Sequence, residues 1–319
     1  MSERDRRGVL LMTYGSPASL ERDDVRAYLA RVRGGREPDA DLVDEFTRRY
    51  RAIGGSPLIE ITRAQAAALA SVLGWPVEVG MRFSEPTISR GLAALADQGV
   101  DDVRAIVLSP QFSPILMGGY AAAIDEALPD LGSRAPHVSV AGAWHDQPSF
   151  IAALGSRIRD ALGTLSHEER ARVRVLLTAH SLPRQVADRD PAYLAQLRAT
   201  ADAVADAAGL SEDRWTFCWQ SAGHEPGEWM KPDFADLMPA IAASSTPAVI
   251  VAPVQFLADH LEILYDIDVG AREQAELLGV RFQRIKSLNA DPGLIAALAA
   301  VANEDMLAVA GTPGEGRSD

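Results

Sequence analysis

Short apolar runs alternate along this chain with longer stretches whose apolar residues recur at helical spacing, the pattern of a parallel sheet covered by helices. The runs predict strands over 8–13, 76–82, 103–109, 137–142, 172–178, 214–220, 248–253 and 280–285. Several are continuous rather than alternating, as in Ile106-Val107-Leu108 and Val249-Ile250-Val251, which is expected where both faces of a strand are covered. Between them the spacing predicts helices over 60–73, 88–98, 148–162, 191–208 and 291–302. The last opens with Asp291-Pro292, a cap followed by proline at the first helical position. The tail 311–319, rich in glycine, proline and charge, is expected to fray.

The two halves of the pattern look like copies. The first strand runs into Tyr14-Gly15-Ser16-Pro17 and the fifth into His180-Ser181-Leu182-Pro183. The second leads to Phe83-Ser84-Glu85-Pro86, and the sixth to Gln220-Ser221-Ala222-Gly223 and then Glu225-Pro226. The third leads to Pro110-Gln111-Phe112 and the seventh to Pro253-Val254-Gln255-Phe256. Matches in the same order predict a duplicated four-strand unit. The expected architecture is therefore α/β, with two four-stranded parallel-sheet domains at 1–145 and 146–319 and the last helix packing back on the first. Open α/β sheets bind ligands beyond the carboxyl ends of their strands. Two such sheets would face each other across a cleft, with Tyr14 on one wall and His180 on the other.

Composition narrows the function. The 319 residues are 47% hydrophobic and 24% charged, as in ordinary globular proteins. A net charge of −13 argues against nucleic acid as a partner, because phosphate binding needs a basic face. No apolar run approaches a membrane span; Leu294–Ala302 is cut off by Asn303, Glu304 and Asp305. The opening Met-Ser-Glu-Arg-Asp-Arg-Arg lacks the apolar core of a signal peptide. A cytoplasmic monomer without stable membrane association is expected. Cys218 is the single cysteine, so no internal disulfide and no iron–sulfur cluster held by four cysteines of this chain is expected.

The densest chemistry lies in Asp259-His260-Leu261-Glu262-Ile263-Leu264-Tyr265-Asp266-Ile267-Asp268. If this segment is helical, Asp259, Glu262 and Asp266 share one face. Like charges at that spacing repel, which a bound cation would offset; a solvated acidic face would look the same. His260 adjoins the cluster, but its helical position sets it off the Glu262 face. His180 ends the strongly apolar strand that begins Val173-Arg174-Val175-Leu176-Leu177-Thr178, and a strand's carboxyl end is where an α/β enzyme places a base or a metal ligand. The first half offers Arg33-Gly34-Gly35-Arg36, Arg48-Arg49-Tyr50-Arg51 and Gly54-Gly55-Ser56-Pro57. Guanidinium forks of this kind bind carboxylates bidentately, although arginine is the default cation of a chain whose lysines are Lys231 and Lys286. The G-x-G-x-x-G, P-loop, G-x-S-x-G and H-E-x-x-H patterns are all missing.

Five segments together resemble the ferrochelatase family. They are Leu11-Met12-Thr13-Tyr14-Gly15-Ser16-Pro17, Arg49-Tyr50-Arg51-Ala52-Ile53-Gly54-Gly55-Ser56-Pro57-Leu58, Thr178-Ala179-His180-Ser181-Leu182-Pro183, Trp219-Gln220-Ser221-Ala222-Gly223 and Phe256-Leu257-Ala258-Asp259-His260-Leu261-Glu262-Ile263-Leu264-Tyr265-Asp266. The likeness runs from about residue 8 to 302. Tyr14 and the compact chain, without a membrane-binding lip, look most like the coproporphyrin III ferrochelatases. The resemblance implies a type II chelatase fold, two Rossmann-like sheets flanking a porphyrin cleft. It implies Fe2+ as a substrate entering through His180 and Glu262, with Tyr14 approaching the metal from the opposite face. Propionates would meet Arg33, Arg49, Tyr50, Ser56 and Tyr120, and an outer Mg2+ would fall at Asp266. The product, Fe-coproporphyrin III, would pass to a coproheme decarboxylase. A neutral His180, with an ordinary pKa near 6.5, would accept protons of the macrocycle, with Glu262 and Asp266 carrying them away.

Three positions depart from the family pattern. The glycine turn before Ser56 is one residue shorter, Gly270 stands where relatives continue the acidic line, and Phe83 replaces a histidine regarded as a secondary metal ligand. A ferrochelatase acting on protoporphyrin IX and a non-catalytic haem or metal carrier of the same two-lobed shape are the alternatives.

Overall fold

Apolar strands with helices between them can bury both sheet faces only in layers, and the structure, a computed structural model, builds two such layers. It describes residues 6–223, 227–244 and 246–304; the tail expected to fray and Glu225-Pro226 lie outside them. The first sheet holds β1 (Arg7–Thr13), β2 (Val77–Met81), β3 (Asp102–Val107) and β4 (His137–Val140) in the order β2-β1-β3-β4. The second holds β5 (Arg174–His180), β6 (Trp215–Gln220), β7 (Ala248–Pro253) and β8 (Arg281–Arg284) in the order β6-β5-β7-β8. All pairings are parallel. The eight strands lie where the apolar runs place them. β5 extends two residues past the apolar run, so His180 ends the strand, as expected of it.

The duplication extends to individual hydrogen bonds. Leu108 N–H donates to the Met12 carbonyl at 2.8 Å, and Val254 N–H donates to the Thr178 carbonyl at 3.0 Å. Two residues beyond each acceptor stand Tyr14 and His180, which therefore occupy the same place in the two halves. Met81 N–H donates to the Pro86 carbonyl and Trp219 N–H to the Pro232 carbonyl. The counterpart of Pro86 is thus Pro232, a correction to the expected match with Pro226. In both halves the next residue, Thr87 or Asp233, caps the following helix with its side chain.

Strand residues alternate between an inner and an outer layer. Val9 and Leu11 of β1 and Val175, Leu177 and Ala179 of β5 enter one continuous core running through both halves. Helices Leu58–Leu73, Pro148–Gly163, Pro191–Ala208 and Pro292–Asn303 contribute to it. The last of these packs on both Pro148–Gly163 and Leu58–Leu73. Leu10 and Met12 turn the other way, onto helices Ile88–Asp97 and Pro114–Leu131. Helices Arg22–Val32 and Ala40–Ala52, inserted after β1, bury Val25, Leu29, Val43 and Tyr50 against Leu261. That contact carries the arginine-bearing end of Ala40–Ala52 across to the second half. Among the described residues no helix is long and apolar enough to cross a membrane.

Candidate active site

The carboxyl end of β5 is locked before any ligand arrives. His180 N–H donates to Gln255 Oε1 at 2.7 Å, and Gln255 Nε2 donates in turn to the Tyr193 hydroxyl at 2.6 Å. Gln220, 4% exposed, accepts from Thr178 Oγ1 at 2.5 Å and donates to the Glu262 carbonyl at 3.3 Å. These glutamines tie the backbone of His180 and the backbone of Glu262 to one frame. They stand in the repeated motifs of the sequence, but nothing in their identity marks them as braces.

His180 Nδ1 lies 2.5 Å from the Ser181 carbonyl, so this nitrogen carries its proton and Nε2 points onward. Nε2 stands 3.5 Å from Glu262 Oε1. His260 repeats the arrangement on the other oxygen: its Nδ1 lies 2.9 Å from the Ala258 carbonyl, and its Nε2 is 3.6 Å from Glu262 Oε2. One carboxylate is thus flanked by two imidazoles. This corrects the expectation that His260 lies off the Glu262 face. The segment is not one helix: His260 is extended (φ −159°), helical structure starts at Leu261, and a π-helix follows over Asp266–Ala271. Asp259 likewise does not share the Glu262 face. It is drawn to Ser287 Oγ at 2.7 Å, Asn289 Nδ2 at 3.1 Å and Arg284 at 3.3 Å.

Charge follows geometry. Burial alone would lower the His180 pKa, but the Glu262 charge and hydrogen bond, with the Ser181 carbonyl, raise it to about 8. The imidazole of the metal-free protein is therefore protonated at pH 7, contrary to the neutral ring expected from its ordinary value. Burial works against ionisation of Glu262 too, yet His180 and His260 hold it well below the usual carboxylate range. Two donor atoms 3.5 Å apart can both reach one first-row divalent cation at roughly 2.0–2.2 Å. A cation arriving there displaces the proton that now satisfies the pair. Among the described residues no group of three or more His, Cys, Asp or Glu side chains is placed to cage a metal ion, so a cation held by the pair keeps open coordination positions.

Behind the pair, burial raises the Asp266 pKa, against a hydrogen bond from Ser221. Arg49 Nη1 stands 3.4 Å from Asp266 Oδ1 while its Nε holds Glu45 at 2.7 Å, and its guanidinium lies 5.2 Å from the Tyr265 ring. Arg49 thus reaches from the first half into the second. Arg33 and Ser56 are half-buried. Tyr50 and Tyr120, 5% and 2% exposed, stand behind the lining instead of in it.

Tyr14, on the first half, lies within reach of the Glu262 charge. It is 48% exposed, yet enough protein surrounds the ring that burial, and then the Glu262 charge, raise its pKa, with Arg82 opposing. The ring stacks on Phe83 at 5.6 Å and meets Tyr120 edge-on at 6.2 Å. Gly15 follows at φ +93°, and a β-carbon there would collide with Ser84, whose hydroxyl accepts from Ser16 N–H at 3.2 Å. Phe112 and Ile115 expose apolar surface at the head of the next helix, 37% and 40% accessible.

Two four-stranded parallel sheets with helices between them give the chain a two-lobed chelatase fold. SirB from Bacillus subtilis, solved with Fe3+, has this fold: TM-score 0.57 at 12% identity, covering 94% of this chain and 95% of that one. Within the class the match is specific. The family model described as ferrochelatase matches residues 6–306, and the chain belongs to the ferrochelatase family. It is similar to the ferrochelatase of Deinococcus radiodurans, 37% identical over 92% of this chain and 94% of that one. It is also similar to the coproporphyrin III ferrochelatase of Bacillus subtilis, 32% identical over 93% and 97%. The enzyme inserts iron into a porphyrin, with Fe2+ and the macrocycle as its substrates.

Proposed function

We propose that this ferrochelatase acts on coproporphyrin III, and that His180 and Glu262 present the Fe2+ to it. The 3.5 Å separation of His180 Nε2 and Glu262 Oε1 carries the second part. An imidazole and a carboxylate suit Fe2+ without sequestering it as thiolates would, and an ion held this way can be passed on. The macrocycle lies between that pair and Tyr14, whose half-exposed ring offers a flat face. Domains meeting near residue 145 divide the work, the first binding porphyrin and the second presenting iron. Arg33, Arg49 and Ser56 supply carboxylate-binding groups along one edge, backed by Tyr50 and Tyr120. Propionate binding there supplies energy that can strain the ring toward the geometry in which its nitrogens accept metal.

The coproporphyrin preference draws support from this arginine-lined edge and from relatives named coproporphyrin III ferrochelatase at 32–34% identity. Coproporphyrin III carries four propionates and protoporphyrin IX two, so a site rich in guanidinium groups favours the former. With His180 Nε2 and Glu262 Oε1 on the metal, proton removal falls to the other oxygen of Glu262 and to Asp266. Asp266 already shares its charge with Arg49 and a hydrogen bond with Ser221. It fits poorly as a Mg2+ site, and no step is assigned to that ion. Release of product to a coproheme decarboxylase completes the reading. Anaerobic mixing of the protein with Fe2+ and either porphyrin, followed by the Soret and Q bands, tests it. Repeated turnover with coproporphyrin III and slower turnover with protoporphyrin IX is expected. Equal rates overturn the preference, and binding without turnover marks a carrier.

A further inference from the structure

Arg82 leaves the end of β2 with its N–H donating to the Thr13 carbonyl at 2.9 Å, one residue from Tyr14. Its guanidinium lies 4.8 Å from the Phe83 ring centre and 5.3 Å from that of Tyr120, the two rings that flank Tyr14. A β-carbon on Gly119 would occupy the space the guanidinium now fills, so the helix backbone is open at the point where the group lies flat. Its protein hydrogen bond is a long one, Nη1 to the Leu116 carbonyl at 3.4 Å.

Three half-buried arginines are answered by carboxylates, Arg49 by Glu45 and Asp266, Arg157 by Asp291 and Arg284 by Asp268, whereas Arg174, Arg214 and Arg272 reach backbone carbonyls instead. Among the described residues Arg82 has no carboxylate within ion-pair distance. A partly desolvated guanidinium held in place by ring stacking and lacking an anion is costly in isolation, and a ligand carboxylate would repay its fork with two parallel hydrogen bonds. The anionic groups that enter this cleft are the propionates of the macrocycle. Arg33 ends helix Arg22–Val32 and Arg49 lies in helix Ala40–Ala52, both packed on Leu261, whereas Arg82 lies against helix Pro114–Leu131. The two basic positions therefore sit on different elements of the first half.

We propose that Arg82 binds a propionate that a two-propionate porphyrin does not present there, and so sets the preference for a four-propionate substrate. This rests on the coproporphyrin reading above. Binding of metal-free coproporphyrin III and protoporphyrin IX, followed by fluorescence, is compared in the wild type, Arg82→Gln, Arg82→Met and Arg82→Lys. The glutamine and methionine variants, the latter keeping the aliphatic packing, should each weaken coproporphyrin III by about tenfold, the loss expected of one charge-assisted hydrogen bond. Protoporphyrin IX binding should stay unchanged, and lysine should recover part of the loss. Equal weakening of both porphyrins, or none, overturns the assignment, since a residue that merely props Tyr14 cannot tell the two apart. A wild type that does not prefer coproporphyrin III refutes the underlying reading. A preferring wild type whose preference survives in Arg82→Gln and Arg82→Met refutes Arg82 alone.

Discussion

At the end of β1 the first half places a phenol, and at the matching position of β5 the second half places an imidazole. The surrounding strands have the same order and equivalent hydrogen bonds. What differs is the company each ring keeps. Tyr14 is set among Phe83, Tyr120 and Arg82, an aromatic and cationic wall suited to a flat anionic ring. His180 is set against Glu262, itself flanked by His260, a polar cluster suited to a divalent cation. A duplicated scaffold supplies two equivalent places at strand ends, and under the proposed function the side chains divide the substrates between them.

Breaking the second half's place should have the largest effect. His180→Ala is expected to lower iron insertion by more than the roughly 10–100-fold that losing an outer partner of a metal site costs, while porphyrin binding, read by fluorescence, persists. Turnover near the wild-type rate would remove His180 from the iron path. Arg49→Ala should act on the other substrate, raising the porphyrin KM by about tenfold with kcat little changed. An unaltered KM would leave Arg49 a purely structural tie between Glu45 and Asp266. Tyr14→Phe keeps the stacked ring and loses only the hydroxyl, so iron insertion should fall by less than about tenfold. A loss as deep as that of His180→Ala would make the two walls chemically equal.

The smallest expected effect lies at the hinge of the comparison. Hydrogen bonds from Arg48 and then Arg49, against burial, pull the Glu45 pKa from 4.5 to about 2. A depressed carboxyl adds stability above its unfolded pKa and loses it as pH falls through the folded one. Glu45→Gln should therefore lower the thermal midpoint modestly at pH 7 and leave it unchanged near pH 2. Equal shifts at both values would contradict this origin.

The scaffold was legible because continuous apolar runs such as Val249-Ile250-Val251 have little alternative to a covered strand. The pairing of His180 with Glu262 was legible through family motifs. His260 was not, because a helical wheel drawn through 259–268 assumes a regular helix. Asp259 is instead captured by Ser287 and Asn289, about 30 residues away in sequence, and that tertiary pull unwinds the start of the segment. Proline spacing alone could not choose Pro232 over Pro226, since the hydrogen bond from Trp219 that decides it is non-local. Arg82 was invisible for a different reason: one arginine among many shows its lack of a counterion only when its neighbours are known in space.

The central claim is that one Fe2+ is shared by His180 and Glu262 before the porphyrin receives it. X-ray absorption on the anaerobic one-to-one Fe2+ complex, without porphyrin, addresses it directly. An imidazole contribution that disappears in His180→Ala, together with a carboxylate contribution altered in Glu262→Gln, is the predicted result. An iron spectrum identical in the wild type and both variants would contradict the account.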